Sequence, residues 1–165
     1  DLNARWAEMQ AFGVVMRTHE TNRPSMNQQV YDTPTTRAQF ARASQIYAAL
    51  YDYRKGVIDE SVATGIPAMR HGWLVHPGTK AAEQDLQFFL GDHLLMAPVL
   101  KENATSASVT FPPGTWRHVL TGALYQGDST VTVDAPIGTP AAFVKVGDPV
   151  GEQIVTALQT AGLTS

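Results

Sequence analysis

The sequence predicts a first half that alternates strand and helix, an α/β pattern, followed from Asp92 by an antiparallel all-β sandwich that ends in a helix. Three observations carry this expectation. A short apolar run, Val14 to Met16, stands between helical patterns; apolar residues recur at helical spacing from Phe40 onward; and from Asp92 the runs shorten to period two, punctuated by Gly, Pro and Asp. The composition changes character near residue 90.

Taken in order, Asn3 to Phe12 reads as a helix, with Ala4, Ala7, Met9, Ala11 and Phe12 as its small and apolar positions. Gly13 breaks it, and Val14 to Met16 then reads as a strand buried on both faces. Thr35 and Thr36 are expected to cap a long helix whose apolar face holds Phe40, Ala43, Ile46, Tyr47 and Leu50. A further helix is expected from about Asp52 to Ala63, ended by Gly65 and Pro67.

His71 and His76 flank GWLV on an expected strand, which points them to opposite faces and speaks against a shared metal. The runs LLMAPVL, ASVTF, WRHVL, STVTVDA and AAFVKV are then the strands of the sandwich. The tail, residues 151–161, returns to helical spacing, with Ile154, Val155 and Leu158 expected to dock on the sheet.

Composition narrows the function. An apolar share of 44% over 165 residues suffices for a packed core, and a net charge of -3 with mixed signs offers no basic stripe for nucleic acid or an anionic membrane. No run approaches the roughly 18–20 apolar residues of a membrane span, and the first residues do not form a secretory signal. The absence of cysteine removes thiol chemistry and fits a reducing compartment, so a cytoplasmic location is expected. There is no HExxH helix, phosphate-cradling glycine loop or GxSxG elbow, and no cofactor or metal is called for.

The polar loop that follows Val14 to Met16 carries the most chemistry. It delivers Arg17, His19 and Glu20 together from a strand end. A neutral imidazole both donates and accepts, which suits paired hydroxyls, while a guanidinium beside a carboxylate braces a loop. Asp52, Asp59 and Glu60 read as a solvated helix face, and Asp128 and Asp134 as turn residues. Trp6, Trp73 and Trp116 read as packing residues.

Five ordered blocks, MRTHETNRP, FARASQIYAAL, GIPAMR, QFFLGDHLLMAPVL and FPPGTWRHVLTG, resemble the end of family 31 of the glycoside hydrolases. THETNRP and APIGTP are similar to the branch that releases sulfoquinovose from α-glycosides. The resemblance implies that residues 1–67 are the last strand and helices of a (β/α)8 barrel and that residues 68–165 are the antiparallel β-sandwich beside it. A complete barrel takes roughly 250 residues, so the N-terminal part of the barrel is an implied partner.

The resemblance also implies a retaining α-glycosidase with a sugar glycoside as substrate. His19 would contact sugar hydroxyls, with Arg17 and Glu20 supporting it. Thr21 departs from the glycine expected in the family's loop. No pair of carboxylates matches the family's nucleophile and acid/base motifs, so no catalytic residue is assigned within this segment, and the segment alone is expected to be inactive. A homo-oligomer, a neutral-sugar α-glucosidase or α-xylosidase of the same family, and a noncatalytic carbohydrate-binding β-sandwich or interaction module stay open.

Overall fold

A computed structural model describes residues 1–18 and 22–164, the Pro24 side chain excepted. The elements are helix α1 (Leu2–Ala11), α2 (Pro34–Ala49), α3 (Tyr51–Thr64), strand β1 (Met69–Arg70), the single helical turn α4 (Gly72–Val75), β2 (Phe88–Leu90), β3 (Leu94–Ala97), β4 (Ser106–Phe111), β5 (Thr115–His118), β6 (Leu124–Gln126), β7 (Ser129–Asp134), β8 (Ala141–Lys145) and α5 (Pro149–Thr160). Short 3-10 turns lie at Pro24–Met26 and Lys80–Glu83.

Six strands form one sheet in the order β1-β2-β3-β8-β5-β6, and β4 pairs with β7 in a second. Every pairing is antiparallel. The sheet-rich half expected from the period-two runs is therefore present.

Period two explains the layering. In β8, Ala142 and Val144 face a core shared with Phe12, Ile46, Leu50, Ile154 and Leu158, while Ala141 and Phe143 face the second sheet through Val109, Phe111 and Val133. Strand β3 does the same: Leu94 and Met96 point to the helices, Leu95 and Ala97 to the small sheet. Register keeps each face consistent, since Leu94 pairs with Val144 and Leu95 with Phe143. The main sheet thus lies between a helical layer and a two-stranded one. Burying a large apolar side chain is worth about 1.5–3 kcal/mol, so these central strands anchor both cores at once.

The helices start and stop by identifiable chemistry. The N-cap of α2 is Thr33, two residues before the expected Thr35: its side chain accepts from the backbone N–H of Thr36, and the Thr36 hydroxyl returns the bond to the Thr33 backbone. Pro34 at the first turn explains the earlier start, because its fixed φ suits that position and its missing N–H costs nothing there. Gly65 ends α3 at φ 77°, as its position after the pattern suggested.

Three expectations are corrected. Residues 13–18 form no strand among the described residues, and Val15 is 62% exposed, so the run is not buried on two faces. A strand needs a neighbouring ladder, and no strand among the described residues pairs with it. The GWLV segment is a helical turn whose N-cap is His71, with Nδ1 accepting from the Trp73 N–H. Here local capping overrides a period too short to decide. Finally, Trp6 and Trp73 are largely exposed, and only Trp116 packs in the core, donating its indole N–H to Pro112 O.

Candidate functional site

The segment expected to carry the site leaves the C-terminal end of α1 and crosses α2 and α3. Phe12 is fully buried and ends the helix, and the Gly13 N–H returns to Gln10 O. Arg17 lies exposed at the end of this run. His19, Glu20 and Thr21 lie outside the described residues.

What fixes residues 11–17 is a set of side chains from the helices. Arg54 of α3, 3% exposed, donates from Nε to Gly13 O at 2.9 Å and from Nη2 to Ala11 O at 3.1 Å. Its Nη1 reaches Tyr47 O at 2.8 Å. The guanidinium carbon sits 3.5 Å from the centre of the Tyr47 ring, a cation–π contact, and the Tyr47 hydroxyl donates to Val14 O at 2.9 Å. Burial pulls the Arg54 pKa below its ordinary value, and the neighbouring Tyr47 opposes that shift. The side-chain amide of Gln10, oriented to satisfy both ends, donates to Arg17 O at 3.1 Å and accepts from the Trp6 indole N–H at 2.7 Å.

An open concavity of about 630 Å³ lies against this segment, walled by Trp6, Gln10, Val15, Arg17, Thr18 and Phe40 among others. A second, of about 770 Å³, continues past Trp6 toward Arg5, Met9, Asn27, Lys101 and Glu102. The rim of the second carries bare apolar side chains: Leu2 is 78% exposed, Trp6 55%, Met26 77% and Leu100 60%.

Of the residues singled out from sequence, Arg17 borders the first concavity. Arg23 supplies its carbonyl to the Met26 N–H in the turn that follows. Glu60, expected on a solvated face, pairs at 2.9 Å with the buried Arg70 guanidinium. Arg54, Tyr47 and Gln10 were not anticipated. Arg54 had a signal: Leu50, Arg54 and Val57 share the buried stripe at helical spacing, and an arginine in such a stripe implies a fixed set of acceptors.

Among the described residues, no three His, Asp or Glu side chains stand together to hold a metal, and no helix is long and apolar enough to cross a membrane. Glu8, on the helix that leads into the loop, is buried and engaged by Arg5 Nη1 at 2.9 Å and by the Gly138 N–H at 2.5 Å.

A helical layer against a six-stranded antiparallel sheet, with a small second sheet on the other face and a concavity beside an arginine-bearing loop, defines an antiparallel β-rich domain joined to a helical flank. Residues 65–148 match the glycosyl hydrolase family 31 C-terminal domain, and the chain belongs to that family. Two curated relatives are sulfoquinovosidases. That of Agrobacterium fabrum is 39% identical over 166 residues, covering 98% of this chain and 24% of its own length. That of Escherichia coli is 37% identical over 147 residues, covering 88% and 21%.

Among solved structures, a family 31 sulfoquinovosidase from E. rectale, in complex with an aza-sugar inhibitor, superposes with a TM-score of 0.88 at 32% identity. The match covers 95% of this chain and 24% of that one. The chain thus spans about a quarter of the length of these relatives.

Proposed function

We propose that this chain is the C-terminal segment of a retaining α-glycosidase that acts on α-sulfoquinovosides. The observation that carries the reading is the likeness to the Agrobacterium sulfoquinovosidase, which runs across 98% of the chain at 39% identity. Residues 1–67 form the C-terminal end of a (β/α)8 barrel, and the paired strands of that barrel lie outside these 165 residues. The bare rim around Leu2, Trp6, Met26 and Leu100 supports this, because a contiguous apolar surface of this kind marks a place where other polypeptide packs.

Retaining hydrolysis takes two carboxyl groups about 5–5.5 Å apart, one nucleophile and one acid/base. Both come from the part of the enzyme that this chain does not span. His19 supplies a hydrogen bond to the hydroxyls of the cleaved sugar, and Arg17 and Glu20 brace the loop that holds it.

The test uses an enzyme containing this chain and compares release from an aryl α-sulfoquinovoside with release from the matching α-glucoside. A higher kcat/KM on the sulfonated substrate is expected; preference for the glucoside moves the enzyme to the neutral-sugar branch. His19→Ala should lower kcat/KM, and an unchanged value removes its sugar contact. The 165-residue chain alone should show no turnover, and leaving-group release by it would overturn the placement of both carboxylates.

A further inference from the structure

Four carbonyls of residues 11–17 are taken up by side chains although no strand pairs with the segment among the described residues. Those of Ala11 and Gly13 accept from Arg54, that of Val14 from Tyr47 and that of Arg17 from Gln10. The first two bonds cover the end of α1. The next two lie beyond any helix and act on the irregular run that carries Arg17 to the concavity.

The choice of a guanidinium here is costly. Removing a cation from water is unfavourable by several kcal/mol even after relaxation, and Arg54 has no carboxylate partner among the described residues. All of its compensation comes from backbone carbonyls and the face of Tyr47. A leucine at this point of the Leu50–Val57 stripe would serve packing as well. What a leucine lacks is a planar fork of donors in fixed directions, which holds several carbonyls in one geometry. Tyr47 then relates the two clamps, since its ring receives the cation and its hydroxyl takes the following carbonyl.

We propose that Arg54 and Tyr47 are positioning residues that set the path of residues 13–18, and with it the place of the Arg17 loop against the concavity. The link to a sugar site rests on the functional reading above; the clamp itself does not. Misplacing a substrate-contacting group by about 1 Å costs on the order of 10²-fold in rate, so such a clamp acts on turnover without touching substrate.

The experiment measures backbone ¹⁵N relaxation and the Trp6 indole resonance in an enzyme containing this chain, as the parent and with Tyr47→Phe or Arg54→Lys. Tyr47→Phe keeps the ring and the cation contact and deletes one bond. Arg54→Lys keeps the charge and loses the fork. Order parameters at residues 15–18 are expected near about 0.85 in the parent and below about 0.6 in both variants. Those of β3 and β8 should not move, and the Trp6 indole signal should shift as Gln10 loses Arg17 O.

Unchanged order parameters at 15–18 in Tyr47→Phe overturn the clamp, as does a loss spread evenly over the chain, which would make both residues general stabilisers. If Arg54→Lys does not fold, Tyr47→Phe decides alone. In an active enzyme containing this chain, Tyr47→Phe should lower kcat/KM about tenfold or more, and no change there severs the clamp from the site. The relaxation measurement needs no turnover, so a parent that hydrolyses no glycoside sinks the functional reading and leaves the clamp to be decided by the order parameters.

Discussion

Nδ1 of His93 lies 2.7 Å from Oδ2 of Asp148, which ties the turn between β2 and β3 to the start of α5. The same carboxylate accepts from the backbone N–H groups of Val150 and Gly151, at 3.3 and 3.2 Å, and so caps the helix. One acidic side chain therefore holds a turn of the main sheet and the start of a helix that packs on that sheet.

Asp148→Ala should cost about 1–2 kcal/mol, the usual worth of an N-cap with a polar partner. Asp148→Asn, which still caps, should cost less. Urea midpoints for both variants and for His93→Ala, alone and combined, separate the cap from the His93 contact. Parental midpoints for Asp148→Ala would show that the anchor contributes nothing.

Arg70 is 2% exposed and stands between Glu60, at 2.9 Å, and Asp92, while its Nε donates to Pro67 O at 2.8 Å. Burial opposes its charge, and the pairs with Asp92 and Glu60 outweigh that and hold its pKa above the ordinary value. Both carboxylates are about half exposed and regain water when the arginine is removed. Arg70→Met should therefore cost about 1–2 kcal/mol, less than the roughly 3–5 typical of breaking a fully buried pair. Arg70→Lys should recover little, because an ammonium concentrates its donors on one atom and lacks the planar fork that spans Glu60, Asp92 and Pro67 O. Thermal denaturation of the two variants side by side tests this; full recovery by lysine would reduce the site to simple charge.

His118 is buried, and its Nδ1 accepts from the backbone N–H groups of Leu120 and Thr121 at 3.1 and 3.3 Å. Burial lowers its pKa from 6.5 to about 4. The unfolded chain binds this proton below about pH 6.5, the folded chain only below about pH 4. Between those values the unfolded state holds more protons, so stability is complete above pH 6.5 and is lost as the pH falls toward 4. The loss from this group is on the order of 3 kcal/mol at most. Half-buried His76, whose pKa is lowered by burial and then by Lys145, adds in the same direction. Unfolding free energies at pH 7 and 4.5 should differ accordingly, and His118→Asn should flatten the slope. An unaltered slope in that variant would assign the pH dependence to other groups.

Gly91 has φ 58°, and a Cβ there would lie 2.7 Å from Tyr53 Oη and 2.7 Å from Val57 Cγ2. Tyr53 is held in place because its hydroxyl donates to Leu90 O, and burial raises its pKa. Gly91→Ala combines a left-handed backbone, about 1–2 kcal/mol, with overpacking against α3, and should cost about 2–4 kcal/mol in all. Gly78→Ala is the control, since φ is 77° there and nothing lies within 4 Å. The difference between the two variants in thermal midpoint isolates the contact with α3; equal midpoints would mean that Tyr53 and Val57 yield freely.

The strands of the β-rich half were legible because LLMA, ASVTF, TWRH, STVTVD and AAFVK alternate or run apolar between turn residues. Strands β1, β2 and β6 were not anticipated, and with two or three residues each they carry too few positions for a period to register. The candidate site was legible in its loop, from Arg17 onward, and not in its supports. Tyr47 reads as an ordinary apolar-face residue of α2, and nothing local states that its hydroxyl meets Val14 O, 33 positions earlier.

The order of residues alone was enough for the end of α3 at Gly65, the apolar runs that give β3 and β8 two buried faces, and, through five blocks, the family. These are local properties: caps, turn residues and side-chain period act within a few residues. That Val14 to Met16 runs without a ladder among the described residues, and that Arg54 spends its charge on backbone carbonyls, came from the folded arrangement. Each of these depends on where groups distant in the chain end up, because a hydrogen bond to a buried carbonyl is worth making only when folding has removed the competing water.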